Sequence, residues 1–119
     1  MEKQMETNDA LKRLVSSVDG VKSLVVSSRE GILIASAGEE VDIPLVCALG
    51  AKLISTSRSV GERLGLGGFE STASEFEDRT ILAYGRESIS MIAILEKGSN
   101  TELVKMLLRS AVEKIESPI

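Results

Sequence analysis

GERLGLGGFE, Gly61 to Glu70, holds four glycines in eight residues, and what lies on either side of it decides how the chain folds. A loop that cradles phosphate needs the order strand, glycine loop, helix. The anion then meets free N–H groups at the positive end of a helix dipole. The order here is the reverse: a long helical segment, Leu45 to Leu64, runs into the glycines, and a strand begins near Phe69. Glycines so placed sit at a helix C-terminus, where outward carbonyls repel phosphate. No Lys-Ser or Lys-Thr pair follows them. Gly65 is therefore expected to take the left-handed conformation that closes a helix, and Gly67-Gly68 to turn the chain sharply. Function has to be sought on a surface rather than in a nucleotide loop.

Toward the N-terminus, GEEVDIP (Gly38 to Pro44) reads as a loop, with Pro44 suited to the first helical turn and Asp42 or Ile43 just before it. VKSLVVSS (Val21 to Ser28) and ILIASA (Ile32 to Ala37) form a hairpin around Arg29-Glu30-Gly31. A first helix is expected over Asp9 to Val18, with Asn8 or Thr7 in place to cap it. Its apolar residues Leu11, Leu14, Val15 and Val18 have helical spacing, and Asp19-Gly20 stops it.

Toward the C-terminus, three strands are expected: Gly68 to Glu77, Thr80 to Gly85 and Ser88 to Glu96. Ser99 and Glu102 have capping-box spacing ahead of a last helix through Leu103, Leu107, Ala111 and Ile115 to about Glu116. The order is α-β-β-α-β-β-β-α, in a single domain over residues 1–119. Short connections imply antiparallel pairing. VVS, ILIA and MIAIL are apolar at successive positions, so helices should cover both faces of the sheet.

Composition removes several function classes. The net charge of −4 argues against nucleic-acid binding, which needs clustered Lys and Arg. The chain has no histidine, so catalytic triads and imidazole metal sites are excluded. A lone cysteine, Cys47, allows no intrachain disulfide and fits a reducing compartment. No run approaches the roughly 18 apolar residues of a membrane span, and the polar N-terminus has no apolar signal core. These features point to a cytoplasmic protein. Glu39-Glu40 and Glu75-Glu77-Asp78 flank turns, where charge is normally solvated. Arg58, Arg63, Arg79 and Arg86 are candidates for contacts with acidic partners or plain surface charges.

The long central helix is the most informative segment. Leu45, Leu49, Leu53, Val60 and Leu64 make one stripe, suited to packing on the sheet. A second stripe carries Cys47, Ala51, Ile54, Ser55 and Arg58, small or mildly polar residues rather than the Lys and Glu of a solvated face. It is either buried within the domain or a protein–protein contact, and a chain this small covers such a helix most readily with a partner. FESTASEF is polar for a strand among apolar neighbours. It is an edge strand kept soluble by Glu and Ser, or one that pairs with another copy.

Across Ala10 to Ile115 the pattern resembles the roadblock/dynein light chain family. The carrying features are DGVKSLVVSSREGILIAS, the long small-residue helix, the glycine break before FESTASEF, and ISMIAILEKGSN leading into a helix. The resemblance implies an α+β, profilin-like fold: a five-stranded antiparallel sheet of order 2-1-5-4-3, the long helix on one face and the terminal helices on the other. It looks like the stand-alone prokaryotic type. It implies a homodimer built from the helix and third strand, with Cys47, Ala51, Ile54, Ser55, Arg58, Phe69, Ser71 and Ala73 as interface candidates. It further implies a small Ras-like GTPase as partner, contacted by Lys52, Arg58, Ser59 and Glu62, with no catalytic residue, cofactor or metal. The rival readings are a small-molecule sensor of similar shape and an accessory subunit of a larger assembly. The three aromatics Phe69, Phe76 and Tyr84 are few for a ligand pocket.

Overall fold

The computed structural model describes residues 2–116. It comprises α1 (Glu2–Ser17), β1 (Val21–Ser28), β2 (Leu33–Gly38), α2 (Ile43–Arg63), β3 (Ser71–Glu75), β4 (Arg79–Gly85), β5 (Ile89–Glu96) and α3 (Thr101–Glu116). The five strands form one antiparallel sheet in the order β2-β1-β5-β4-β3. The central strands β1 and β5 pair along nearly their whole length, from Val21↔Leu95 to Ser28↔Ile89.

Both faces of the sheet are covered, as the unbroken apolar runs require. On one face α1 and α3 bring Leu11, Val104, Leu108 and Val112 onto Leu24, Val26, Leu82, Met91 and Leu95, the larger of two cores. On the other face α2 lies alone, with Ile54 on Ala83 and Ile92, joined by the half-buried Val46, Leu53, Phe69 and Ile81.

Four local expectations are corrected. Helix α1 begins well before Asp9, because Glu, Lys, Gln and Met are strong helix formers and extend it. Thr7 and Asn8 lie inside it rather than capping it. Strand β2 starts at Leu33, one residue later than expected, because the Ile32 N–H donates to Ser28 Oγ (3.1 Å) and so belongs to the turn. Strand β3 is only Ser71–Glu75. Asn100, not Ser99, caps α3: its Oδ1 accepts from the Leu103 N–H at 3.1 Å, while the Ser99 hydroxyl donates back to the Glu96 carbonyl at 2.7 Å. The Ile115 side chain lies outside the described residues.

The ends of α2 follow the sequence. Asp42 Oδ1 accepts from the Leu45 N–H at 3.3 Å, and Pro44 stands in the first turn. After the C-cap Leu64, Gly65 takes φ +66° and Gly67 φ +93°, the left-handed region that glycine enters without strain.

The helix can lie close to the sheet because Gly50 has no side chain. A Cβ there would come within 2.6 Å of Ile92 Cγ1 and Cδ1, with Ile92 itself buried. Gly50→Ala should therefore cost about 1–3 kcal/mol by overpacking. Ile92→Val, which removes Cδ1, should cost less in the Gly50→Ala background than alone. Urea titration of the two single variants and the double variant measures that coupling.

Candidate functional site

The structure inverts the expected facing of α2. Cys47 (3% exposed), Gly50 and Ile54 (1%) point into the sheet, whereas Leu45, Leu49, Val60 and Leu64 are 49–67% exposed. Of the apolar stripe expected to pack inward, only Leu53 is half-buried against the core. The reason is the close approach at Gly50: it fixes which face of the helix meets the sheet, Cys47 and Ile54 share that face, and the leucines lie on another. Cys47 and Ile54 are buried within the chain and leave almost no surface for a partner, so they are corrected from the contact stripe to the core. Burial also pushes the Cys47 thiol above its usual range.

The remaining residues of that stripe line a cleft beside the β1–β2 turn. Arg29 of the turn meets Ala51, Ser55, Arg58, Ser59 and Glu62 of α2 around a cavity of about 260 Å³. A second cavity of about 350 Å³ shares Arg29 and Arg58 and is completed by Phe69, Gly85, Arg86 and Glu87. Of the four expected GTPase contacts, Arg58, Ser59 and Glu62 come together here; Lys52 is exposed but does not line the cleft.

Arg58 is the fixed point of the cleft. Its Nη2 donates to the Arg86 carbonyl at 2.7 Å, and its guanidinium lies 5.7 Å from the centre of the Phe69 ring. Gly85 leaves room for this arrangement, since a Cβ there would stand 3.2 Å from both Arg58 Nη2 and Phe69. Partial burial, and then the like charge of Arg29, draws the Arg58 pKa below its usual value. Sequence reasoning treated Arg29 only as a turn residue. The signal available was its place directly after β1, at the end of the sheet that the C-terminal half of α2 reaches.

Among the described residues the third strand keeps a free edge, for β3 pairs with β4 alone. Ser71 is half-buried and Ala73 exposed along it, while Phe69 just ahead of it is half-buried beneath Arg58. Of the other arginine candidates, Arg79 pairs with Glu39 at 3.5 Å and Arg63 is exposed in the last turn of α2; outside that set, Arg109 ties α3 to Glu70 at 3.1 Å. Among the described residues no helix is long and apolar enough to cross a membrane, and no group of three or more acidic or cysteine side chains is placed to hold a metal ion.

The family described as "Mitogen-activated protein kinase kinase 1 interacting" matches residues 5–119 of the chain. An uncharacterized protein of Methanocaldococcus jannaschii is 28% identical over 105 residues, which is 87% of this chain and 88% of the relative. A Roadblock/LC7 domain from Streptomyces avermitilis superposes with a TM-score of 0.83 at 19% identity, covering 91% of this chain and 92% of the other. Myxococcus xanthus MglB does so with a TM-score of 0.83 at 18% identity, covering 97% and 88%. The fold is thus the roadblock fold, as the sequence pattern implied.

Arg58→Lys should keep the charge but lose the fork that serves both the Arg86 carbonyl and the Phe69 face, costing about 1 kcal/mol in urea denaturation. The Cys47 thiol should react with iodoacetamide slowly at pH 8 and at the rate of an ordinary thiol once the chain is unfolded in guanidinium, as followed by mass spectrometry.

Proposed function

The chain belongs to the mitogen-activated protein kinase kinase 1 interacting family and has the roadblock fold, and from that premise we propose that it is a dimeric regulatory scaffold that binds a small Ras-like GTPase. One observation carries the dimer: the exposed row Leu45, Leu49, Val60 and Leu64 on α2 and the unpaired edge of β3 belong to adjoining elements. Contiguous exposed apolar surface and an open sheet edge both favour a partner. A two-fold axis beside β3 lets the same surface serve both copies. Ser71 and Ala73 then meet their counterparts across the new strand pair, and the leucine rows of two α2 helices cover each other.

The unit is the single domain of residues 1–119, working in the cytoplasm as a regulator rather than an enzyme. The family's name describes an interaction with a protein kinase kinase, which supports an adaptor role. The roadblock resemblance supports a GTPase as the bound partner. The outer surface of α2, with Lys52, Arg58, Ser59 and Glu62, is the surface it offers. The dimer holds the GTPase switch loops in one arrangement and so shifts their populations. Arg58 is not needed as a finger. Its guanidinium is held against its own chain by the Arg86 carbonyl and Phe69, beside the β1–β2 turn, rather than free to reach into a partner's site.

Light scattering should find a dimer for the native chain and a monomer for Leu49→Glu; a native monomer would remove the scaffold reading. A pull-down with the chain as bait, run with a non-hydrolysable GTP analogue and with GDP, should recover a small GTPase preferentially in one nucleotide state. Arg58→Ala should change any stimulation of GTP hydrolysis by no more than about twofold. Loss of an arginine finger costs on the order of 10³-fold or more.

A further inference from the structure

Arg29 and Arg58 converge on one cleft with no carboxylate within ion-pair distance of either among the described residues, and we propose that this cleft binds a phosphate ester whose organic part carries hydroxyl groups. One guanidinium is anchored, and the backbone that carries the other is fixed. Arg58 is pinned by the Arg86 carbonyl and the Phe69 ring. Arg29 sits on a turn closed by the Gly31 N–H on the Ser28 carbonyl (3.0 Å), the Ser28 N–H on the Ile32 carbonyl (2.8 Å) and the Ile32 N–H on Ser28 Oγ (3.1 Å). Two like charges lining one cleft repel each other and are stabilised by an anion between them. Burial first, and then the charge of Arg29, lowers the Arg58 pKa.

The donors in the cleft point to phosphoryl rather than carboxyl chemistry. Two guanidinium groups approach from different elements, and the Ser55 and Ser59 hydroxyls line the wall one helical turn apart. A carboxylate is fully served by one bidentate arginine. A phosphoryl group presents three oxygens and uses the remaining donors. Glu62 lines the same cavity, away from ion-pair distance of both arginines. One helical turn beyond Arg58, its carboxylate repels a bare dianion and accepts hydrogen bonds, so it favours a ligand that carries hydroxyl donors beside its charge. The cavity of about 260 Å³ is below the usual range for drug-sized ligands, which sets the ligand as small.

The cleft shares Arg58, Ser59 and Glu62 with the proposed GTPase-contact surface, so its test uses the chain alone, where no GTPase competes. Isothermal titration at low ionic strength compares ribose 5-phosphate, inorganic phosphate and ribose as probes. Ribose 5-phosphate should bind one per chain, at least tenfold more tightly than phosphate, and ribose should give no heat. Arg29→Gln, which keeps the backbone bonds of the turn, should weaken the ester tenfold or more without lowering the melting temperature. Glu62→Gln should strengthen phosphate and shrink the preference for the ester. No saturable binding, equal affinity for ester and phosphate, binding unchanged by Arg29→Gln, or capture of an acidic peptide in place of the ester would each overturn the proposal. All of these leave the pull-down result untouched.

Discussion

The structure depends on a sheet whose two middle strands are apolar on both faces. In β1, Leu24, Val25 and Val26 are all at most 1% exposed, and in β5 Met91, Ile92 and Ala93 are at most 3% exposed. Such strands cannot be left with a wet side, so each face must carry a helical layer. Two helices share the task on one face. On the other α2 must do it alone, which explains its 21-residue length and its close seating at Gly50. Among the described residues nothing lies above this helix, and its outer side leaves Leu45, Leu49, Val60 and Leu64 exposed.

Much of this was legible in the chain. Element order, antiparallel pairing and cover on both faces follow from strand patterning and short turns. The glycines after α2 were legible too, because a positive φ at Gly65 is a local requirement of closing the helix. The α3 cap was misread because SNTE offers two capping residues in succession, and sequence spacing favours Ser99 while the geometry selects Asn100.

The inverted α2 was not legible for a different reason. Large apolar residues normally mark the buried face, but burial depends on the gap as well as on polarity. Where Gly50 brings the backbone onto Ile92, its neighbours on the same helix face, Cys47 and Ile54, are buried with it, and Leu45 and Leu49 fall on another face. The leucine row therefore faces out, and the side first assigned to a partner forms part of the core. The Arg29–Arg58 cleft was hidden in a similar way. The two residues are far apart in sequence and meet only because α2 crosses toward the β1–β2 turn.

The unequal cores have a consequence for how the molecule breathes. Amides under α1 and α3 are guarded by a broad cluster, whereas α2 is held by Ile54, Ala83 and Ile92 with a few half-buried neighbours. Free energies of local opening follow such differences in buried contact, and contiguous elements open as units. The layer that carries both the leucine row and the arginine cleft is thus the layer that exchanges its hydrogens soonest. Anything that settles on α2 stiffens the weaker half of the domain and evens out the protection of its two faces.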